Sequence, residues 1–516
     1  MSYWRNQHQE TGVVHKDWGG RLPVALIYPS SYYIGMSSLG VHAIYKLLNS
    51  SDDFVCERFF WERENTASPL LSLESGRPLP DFPLIAVSLT YELDYLNIAP
   101  ILRRAGIPIH AAERDERHPL IIAGGPCITA NPMPVAPFFD AVAIGEAEPI
   151  LPPLLSTMKE SMAIRRDELL GKISGIPGLY LPQTPHPTRR QFTRNLDEFP
   201  VASTIITRDT ELGDLYLIEI QRGCSWDCRF CLVSGAFHPM RSRSLETILS
   251  QVKEGLKQRR RIGLVGPDVS DYPHLEELIT RMREMGAGIS VSSLRVNPFP
   301  GAVLSQLASS GLKTITLAPE AGSERLLNFI NKCVSRDDTR EAVAQTASEG
   351  FRQVKLYFMI GLPTEEDEDI SAMIDLVLSC KERADKENKG TRLNLNLAPF
   401  IPKAGTPFQR QPMAPIDILN KRLARLKEKL SPQGITLKTE SPEWSEVQAV
   451  LARGGSELAR ALADIDVSSL ASWRKATTKH EIDTEFYAHG EWGNDQKLPW
   501  SAIDLNTKYE GNDKFS

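Results

Sequence analysis

Long apolar runs are missing from this sequence of 516 residues. A membrane-spanning helix needs about 18 or more consecutive apolar residues, and no such run is found. The N-terminus, MSYWRNQHQETGVVHKDWGG, also lacks the apolar core of a signal peptide. We therefore predict a cytoplasmic protein with no membrane partner.

The sequence also has few cysteines and a small net charge. The seven cysteines are too few for a disulfide framework in so long a chain. The 59 Lys and Arg residues against 65 Asp and Glu residues give a net charge of -6, which provides no overall field that gathers nucleic acid. What remains is an ordinary globular composition, 41% apolar and 24% charged, and a length that predicts more than one domain.

Apolar strands alternate with amphipathic helices through the first part of the chain. The runs PVALIYP, PLIAVSL, PLIIAGG and AVAIG are typical of strands, and GVHAIYKLLN and EPILPPLLSTMKE of helices. This alternation predicts an α/β domain with a doubly wound parallel sheet, which together with a linker covers residues 1–195. Ligands of such sheets bind at the carboxyl ends of the strands, here near Ser88, Gly124, Gly125 and Gly145.

A second series of strands follows the polar linker LPQTPHPTRRQFTRNLDEFP. Its members are LYLIEIQ, RIGLVG, GISVSSL, LKTITLAP, FRQVKLYFMIG and RLNLNLAPF. Six strands that alternate with helices predict a partial, six-stranded (β/α)6 barrel over residues 205–432, with its site at the carboxyl ends of the strands. We expect residues 433–516 to form a small, helical C-terminal domain.

Three cysteines cluster directly after the first barrel strand, in RGCSWDCRFC. A loop in this place can turn Cys224, Cys228 and Cys231 toward one iron-sulfur cubane and leave the fourth iron open. A closed zinc site would need a fourth ligand, for which His238 is the nearby candidate. The other cysteines are scattered, and we expect each to be a small buried hydrophobe: Cys56, Cys127, Cys333 and Cys380.

The cysteine loop resembles the CX3CX2C signature of the radical S-adenosylmethionine (SAM) superfamily, with Phe230 as the aromatic residue before the last cysteine. Similar strand-end motifs continue through the barrel, among them GLVGPDVSDYP, LAPEAGSERLLNFINK and KLYFMIGLPTEEDED. The segment IAGGPCITANPMPVAPFFDAVAIGEAEPIL is similar to the cobalamin-binding-like domains that precede such barrels. The motifs IGMSSLG, LTYELDY and SPEWSEVQAVLARG resemble those of an uncharacterised family. Members of that family are often fused to a further C-terminal domain, and we expect this chain to end before it.

The resemblance implies a chemistry class. It implies a 4Fe-4S cluster on Cys224, Cys228 and Cys231, an open iron that chelates SAM, and reductive cleavage of SAM to a 5'-deoxyadenosyl radical. The radical would modify an unactivated carbon, methylation included, and a reductant such as flavodoxin or ferredoxin would supply the electron. Two alternatives stay open: a non-catalytic iron-sulfur binding or scaffold protein, and a radical SAM sulfur-insertion enzyme without cobalamin.

Cofactor contacts are implied at the ends of successive barrel strands. Phe230 is the aromatic residue beside the adenine or the cluster, and Gly361 is the glycine whose backbone passes close to the adenine. Gly266, Pro267 and Asp268 stand where many relatives have Gly-Gly-Glu, and their backbone carbonyls would bind the SAM amino group. Ser292 and Arg295 are the polar groups for the ribose or the carboxylate. A helix cap and a surface ion pair are the alternative roles of Ser292 and Arg295. Glu320 is the further polar candidate, and a buried carboxylate there needs a partner.

Cobalamin stays an open question at the sequence level. Many cobalamin domains supply a histidine ligand after the first strand, but the corresponding stretch YPSSYYIGMSSLG contains none. Either cobalamin binds without that ligand, near Ser88, Gly124, Gly125 and Gly145, or the domain contacts substrate instead. We expect His42 to be a surface or packing residue.

The substrate is expected to be a macromolecule, RNA or protein. Basic residues that could contact RNA phosphates are found at the end of the first barrel helix, from Lys257 to Arg261, and in the linker, at Arg189, Arg190 and Arg194. The helix end has a simpler explanation, because cations there complement the helix dipole.

Overall fold

A computed structural model describes residues 8–62, 69–161 and 164–505. Elements of the first region are β1 Glu10–Thr11, β2 Leu22–Tyr28, α1 Tyr32–Gly35, α2 Leu39–Asn49, β3 Phe54–Phe60, β4 Leu84–Ser88, α3 Ile98–Arg104, β5 Leu120–Gly124, α4 Pro126–Ala130, β6 Ala141–Ala143, α5 Ala147–Glu160, α6 Arg166–Ile173, β7 Leu179–Tyr180, β8 Thr188–Arg189 and β9 Ile206–Thr207. Six of these strands form one sheet in the order β3-β2-β4-β5-β6-β7, in which only the pair β6-β7 is antiparallel. The predicted doubly wound parallel sheet is confirmed.

Strand β3 is absent from the sequence prediction because charged residues interrupt it. Glu57 and Arg58 lie in its centre, and both are buried. Arg58 donates to Glu74 at 2.6 Å and to Glu10 at 2.7 Å, and Glu57 accepts a hydrogen bond from Trp18 at 2.8 Å. Buried charges are tolerated when they are paired and hydrogen-bonded, so tertiary partners decide this strand.

The second region is the barrel. Its elements are β10 Leu215–Glu219, β11 Gln221–Arg222, α7 Leu232–Ala236, β12 Arg241–Ser242, α8 Leu245–Leu256, β13 Arg261–Val265, α9 Leu275–Glu284, β14 Gly288–Val291, α10 Gly301–Ser309, β15 Thr314–Glu320, α11 Glu324–Phe329, α12 Arg336–Ser348, β16 Gln353–Ile360, α13 Asp367–Glu387, β17 Arg392–Pro399, α14 Ile416–Leu430 and β18 Thr436–Thr439. Strands β10, β13 and β14 form one parallel sheet and β15 to β18 another, and a parallel bridge between Leu294 and Leu317 connects the two.

The barrel contains the six predicted strands and one more. Strand β18 pairs in parallel with β17 and lies beyond the predicted barrel limit at residue 432. It is short and mostly exposed, and Leu437 is its single apolar residue. The alternation from which the other strands were predicted is therefore missing here.

The faces of β16 and β17 differ sharply. Val354, Leu356 and Phe358 of β16 are buried beneath the helices, and so are Leu393 and Leu395 of β17. The residues that alternate with them point into the barrel, and several are polar: Lys355 and Tyr357 of β16, and Asn394 and Asn396 of β17. The barrel interior is consequently polar along these strands.

The C-terminal region packs on both preceding regions. It contains α15 Pro442–Arg453, α16 Leu458–Ala463, α17 Leu470–Lys479, α18 Thr484–Ala488 and β19 Ile503–Asp504. Asn131 donates to the carbonyls of Ala452 and Gly454, and β19 pairs with β8 of the linker. The domain limits 1–195, 205–432 and 433–516 stay predictions. None of the helices within the described ranges is long and apolar enough to cross a membrane.

Candidate active site

The cysteine loop runs from Gly223 to Cys231, between β11 and α7. Gly223 has a φ of +72°, and a Cβ on it would lie 2.5 Å from the Phe237 carbonyl oxygen, so the loop can turn there only with glycine. Cys228 is buried and Cys224 is partly buried. Burial raises the pKa of the Cys228 thiol to about 12 and raises the pKa of Cys224 as well. A bound cation is needed to hold such thiols as thiolates.

The loop is anchored by its neighbours. Ser225 donates a hydrogen bond to Asp271 at 2.8 Å, and the Trp226 indole donates to the same carboxylate. On the other side, Arg229 donates to the Phe329 carbonyl at 2.8 Å, at the end of α11. These contacts fix the direction of the loop before any cluster binds.

Cys224, Cys228 and Cys231 are the candidate ligands of a cluster. No group of three or more His, Cys, Asp or Glu side chains within residues 8–62, 69–161 and 164–505 converges on a single ion position. A cubane binds each thiolate to a different iron, so its three cysteines need not converge on one point. The zinc alternative with His238 as fourth ligand finds no support in this arrangement.

Glu320 has the partner that its burial requires. It ends β15 with a φ of +73°, and its Oε1 lies 3.5 Å from Lys332 Nζ. Burial raises the pKa of Glu320, and the Lys332 ammonium opposes that shift. A positive φ on a residue other than glycine is strained and is concentrated at functional sites. Lys332 also lowers the pKa of Cys228, so this pair lies beside the cysteine loop.

Lys332 was missed by the sequence analysis. The requirement of Glu320 for a partner was the signal, and Lys332 is the first cation after Arg325 in the same motif, LAPEAGSERLLNFINK. Only the turn after α11 brings its ammonium group back to the end of β15.

Asp268 and Arg295 form a salt bridge rather than two separate contacts. Arg295 Nη1 lies 3.3 Å from Asp268 Oδ2, and the Arg295 guanidinium stacks 3.3 Å above the ring centre of Trp226. The Asp268 carbonyl already accepts a hydrogen bond from Gln221. The ion-pair alternative for Arg295 is therefore present, but it is buried instead of at the surface.

Several buried polar side-chain atoms lack a hydrogen-bond partner in the part of the chain that the structure describes, and three of them bear on the candidate site. These three are Gln221 Oε1, Arg295 Nη2 and Asn396 Oδ1. Buried polar atoms are nearly always hydrogen-bonded, so each requires a ligand or water. Gln221 follows the first barrel strand, Arg295 lies against the cysteine loop, and Asn396 faces the barrel interior. These orphan atoms fit a polar cofactor at the carboxyl ends of the strands.

A cavity of about 510 Å³ lies between the N-terminal sheet and the barrel, and we call it the interdomain cavity. Predicted cofactor contacts from both regions line it: Ser88, Gly124, Gly125, Gly145, Gly266 and Pro267. Small and apolar residues of α2, Gly40, Ala43 and Ile44, line its sheet side, and Gly223 of the cysteine loop lines the other side. The predicted cobalamin contacts therefore share one cavity with Gly266 and Pro267, two of the predicted SAM contacts.

The glycines around this cavity are not equivalent. Gly125 and Gly145 have φ values of +123° and +127°, and a Cβ there would lie 2.2 Å from the Leu89 oxygen and 2.0 Å from the Gln191 oxygen, respectively. The backbone alone requires both glycines. A Cβ on Gly124 would meet nothing closer than Ala143 Cβ at 3.5 Å, which is an ordinary contact. Of these three glycines, only Gly124 leaves space that the fold itself does not need.

Buried ion pairs hold the cysteine loop to the N-terminal sheet. Arg222, two residues before Cys224, binds Glu146 at 3.0 Å, Glu148 at 2.7 Å and Glu219 at 3.0 Å. Arg241 also binds Glu146, at 2.7 Å. Because Arg222, Glu146 and Glu148 line the interdomain cavity, they give it a polar rim.

A second cavity, of about 470 Å³, lies inside the barrel along β15 to β18, and we call it the lumen cavity. Its charged lining residues are Glu320, Lys438 and Glu440, and its polar ones are Tyr357, Asn396 and Thr439. Barrel interiors are usually filled by branched apolar residues. An open and polar lumen is therefore a binding feature.

Gly361 and Ser292 do not line either cavity. Gly361 has a φ of +71°, and a Cβ on it would press against Leu419 at 2.6 Å, so its packing on α14 explains the glycine. Ser292 is exposed, just after β14. Phe230 packs with an apolar cluster that includes Leu327 and Phe408.

The remaining sequence expectations have mixed outcomes. His42 is buried, accepts a hydrogen bond from the Thr204 amide at 3.1 Å, and burial lowers its pKa to about 4, so it is a neutral packing residue as predicted. Cys56, Cys127 and Cys380 are buried, but Cys333 is exposed, so the prediction was wrong for Cys333.

The three linker arginines differ in exposure, because Arg189 and Arg194 are exposed whereas Arg190 is not. Arg190 is buried, and it donates to the carbonyls of Leu505 and His238. On the first barrel helix, Lys257 pairs with Glu254 at 2.7 Å and Arg259 donates to the Gly213 carbonyl at 3.0 Å. The contacts of Lys257 and Arg259 agree with the simpler explanation of the helix end, while Arg260 and Arg261 are exposed.

Comparisons with known proteins agree with this architecture. The family model for the N-terminal region of radical SAM proteins matches residues 40–182, and the radical SAM superfamily model matches residues 218–377. The solved structure of the cobalamin-dependent radical SAM enzyme OxsB, with aqua-cobalamin and SAM bound, superposes with a TM-score of 0.52. The match covers 90% of this chain and 72% of OxsB at 13% identity, and it shows a shared fold.

Two curated relatives extend the comparison to sequence. An uncharacterized protein of Methanocaldococcus jannaschii is 31% identical over 478 residues, covering 91% of this chain and 98% of that protein. An uncharacterized methyltransferase of Pyrococcus horikoshii is 26% identical over 268 residues, covering 49% of this chain and 56% of that protein. With both family models, the barrel fold and the cysteine loop in agreement, this chain belongs to the radical SAM superfamily.

Proposed function

We propose that the protein is an iron-sulfur enzyme that cleaves SAM reductively and, together with cobalamin, methylates an unactivated carbon of its substrate. The observation that carries the proposal is the interdomain cavity, whose walls combine the strand ends of the N-terminal sheet with the glycine that opens the cysteine loop. When bound, the cluster and SAM supply a 5'-deoxyadenosyl radical, and cobalamin supplies a carrier for the methyl group.

Cys224, Cys228 and Cys231 would hold the 4Fe-4S cluster. Lys332 supports this role because its ammonium group lowers the pKa of Cys228 against the effect of burial. The loop also presents its cysteines between two hydrogen-bonded anchors, at Asp271 and Phe329. Positions fixed before binding reduce the cost of ordering the ligands.

The SAM contacts would come from groups that lack partners now. Arg295 Nη2 is a buried donor suited to a carboxylate, and Gln221 Oε1 is a buried acceptor suited to an ammonium group. Glu320 remains a polar candidate for cofactor binding, and Lys332 opposes the effect of burial on its pKa. Gly266 and Pro267 line the interdomain cavity together with Gln221, and their backbone carbonyls would contact the amino group.

Cobalamin would lie in the interdomain cavity without a histidine ligand. None of the cavity-lining residues in the described ranges is a histidine, and His42 is already used in packing. Gly40, Ala43, Ser88 and Gly124 are small, so the sheet side has room for an inserted group. Binding would depend on shape and backbone contacts, as it does at other strand-end sites.

Anaerobic reconstitution with iron, sulfide and hydroxocobalamin tests the proposal. After desalting we expect one 4Fe-4S cluster and bound cobalt, and after reduction with SAM we expect 5'-deoxyadenosine by chromatography. A fully loaded, reduced cluster that yields no deoxyadenosine would instead favour the scaffold alternative. Deoxyadenosine without bound cobalt would contradict the cobalamin part and leave sulfur insertion as the competing chemistry.

A further inference from the structure

The lumen cavity is organised in layers by the strand register. Tyr357 of β16 is level with Asn396 of β17, and Asn396 is level with Lys438 of β18. Above this layer lie Met359 and Ala398, which are level with each other. Glu320 at the end of β15 and Glu440 just after β18 flank them on the two sides. The cavity is thus a shallow bowl with a carboxylate on each rim.

The two rims have different surroundings. Glu320 is paired with Lys332 beside the cysteine loop, so this rim belongs to the proposed SAM site. Glu440 is three strands away, which corresponds to about 14 Å at the usual strand spacing. Near it are Tyr91 of the N-terminal region and Lys403, whose ammonium group is bound to Glu92. The Glu440 rim is therefore a separate half of the lumen.

Lys438 of β18 and Glu440, just after the end of β18, carry opposite charges. They are two residues apart, so their backbone positions differ by about 7 Å along the strand. Both line the lumen cavity, and neither forms an ion pair with any residue of the described ranges. Two opposite charges that face one cavity without pairing complement a ligand that carries both charges.

The neighbouring side chains define the rest of the ligand. Asn396 Oδ1 is a buried acceptor without a partner among the described residues, and it lies beside Lys438 in the register. Tyr357 is 39% exposed, so its ring offers an open face, and Met359 adds an apolar surface above it. A hydrogen-bond donor and an apolar or planar group are recognised here.

We propose that the β17–β18 half of the lumen binds a small zwitterion of the amino-acid class. Its ammonium group lies at Glu440 and Asn396, its carboxylate at Lys438, and its side chain on Tyr357 and Met359. An internal residue of a protein has neither terminal charge, and RNA phosphates would meet repulsion from Glu440. That this molecule is the substrate rests on the proposed function, whereas its binding does not.

Three matched probes test the charge recognition. L-phenylalanine carries both charges, N-acetyl-L-phenylalanine only the negative one, and L-phenylalaninamide only the positive one. Equilibrium dialysis with the anaerobically reconstituted full-length protein measures the affinity for each. We expect phenylalanine to bind roughly tenfold more tightly than either blocked probe, because each loses one charge-assisted contact.

Variants assign each charge to its side chain. Glu440→Gln should weaken phenylalanine and phenylalaninamide but not the acetylated probe, whereas Lys438→Met should weaken phenylalanine and the acetylated probe only. Lys427→Met and Glu428→Gln, exposed on α14, are matched controls and should leave all three affinities unchanged.

Several outcomes would overturn the inference. The first is that no probe is retained at millimolar concentration, and the second is that a variant affects all three probes equally. The third is that phenylalanine does not bind, but total RNA does and Lys438→Met weakens the RNA binding. If Lys438→Met has the same affinities for the three probes as wild type, this lysine does not bind the carboxylate and only protects the sheet edge. Iron content and deoxyadenosine are measured on the same samples, so failure of the proposed function would be seen independently of probe binding.

Discussion

Lys332 Nζ lies 3.5 Å from Glu320 Oε1, beside Cys228 of the cysteine loop. Their side chains are 12% and 17% exposed, respectively, so each charge depends on the other for compensation. The pair connects the end of β15 to the turn after α11 and holds a positive charge where thiolates must form. Its removal should therefore affect stability and cluster binding together.

We expect Lys332→Met to lower the free energy of unfolding by about 2 kcal/mol, because it leaves the Glu320 carboxylate buried without its counter-charge. The double variant Glu320→Gln, Lys332→Met should recover part of that loss, since it contains neither charge. Thermal unfolding of the apo forms measures both effects. Lys313→Met, at an exposed site, is the control and should match wild type. A double variant less stable than Lys332→Met would contradict the compensation argument.

The cluster ligands can be separated from the other cysteines by substitution. Replacement of Cys224, Cys228 and Cys231 by alanine should abolish the iron content and the electron paramagnetic resonance signal of the reconstituted, reduced protein. Cys333→Ala is the matched control, because Cys333 is exposed and lies outside the loop. It should retain wild-type iron. Four irons and an unchanged signal in the triple variant would show that the ligands were misassigned.

Adjacent glycines give a sharp test of the interdomain cavity. Gly124→Val places a side chain into the cavity at a position with ordinary φ, and we expect cobalamin retention to fall by about tenfold or more with the iron content unchanged. Gly125→Ala, in contrast, should destabilise the protein by about 1–3 kcal/mol, since its Cβ meets the Leu89 backbone. Bound cobalt and Tm distinguish the two effects.

Wild-type protein from cobalamin-fed cells is the reference for that test. If it contains no cobalt above background, the cobalamin assignment is wrong, and the cavity becomes a surface for substrate. If Gly124→Val retains cobalamin like wild type, the cofactor does not approach the end of β5.

Glu365 should make stability depend on pH. It is buried after β16, and burial raises its pKa to about 7, although the Gly361 amide and Arg422 oppose the shift. The unfolded carboxyl ionises at a lower pH than the folded one, so the folded state binds more protons between these two values. Stability should therefore fall as pH rises from about 4.5 to 7, by about 3 kcal/mol, and level off above.

Glu365→Gln removes this ionisation. When the pH rises from 5 to 8, the Tm of wild type should fall relative to that of Glu365→Gln. Glu368→Gln, at an exposed site in the first turn of α13, is the control and should not reproduce the effect of Glu365→Gln. A pH-independent difference for Glu365→Gln would show that the folded carboxyl ionises normally.

Local sequence was sufficient for the framework of this protein. The CX3CX2C loop, the alternating strands of the N-terminal sheet and six of the barrel strands depend on spacing and periodicity within short segments. The need of Glu320 for a partner was also predictable, because burial of a lone carboxylate is costly.

Tertiary structure decided which groups meet. The buried charges of β3 are explained only by Glu10 and Glu74, which are remote in sequence from Arg58. Lys332 reaches Glu320 only because of the turn after α11, and β18 joins the barrel through backbone pairing that its polar sequence does not signal. The sequence does not distinguish Gly124 from Gly125, but only Gly125 has a backbone conformation that requires glycine. Periodicity records which face of an element is buried, whereas charge pairing, backbone angle and cavity shape depend on residues that are distant along the chain.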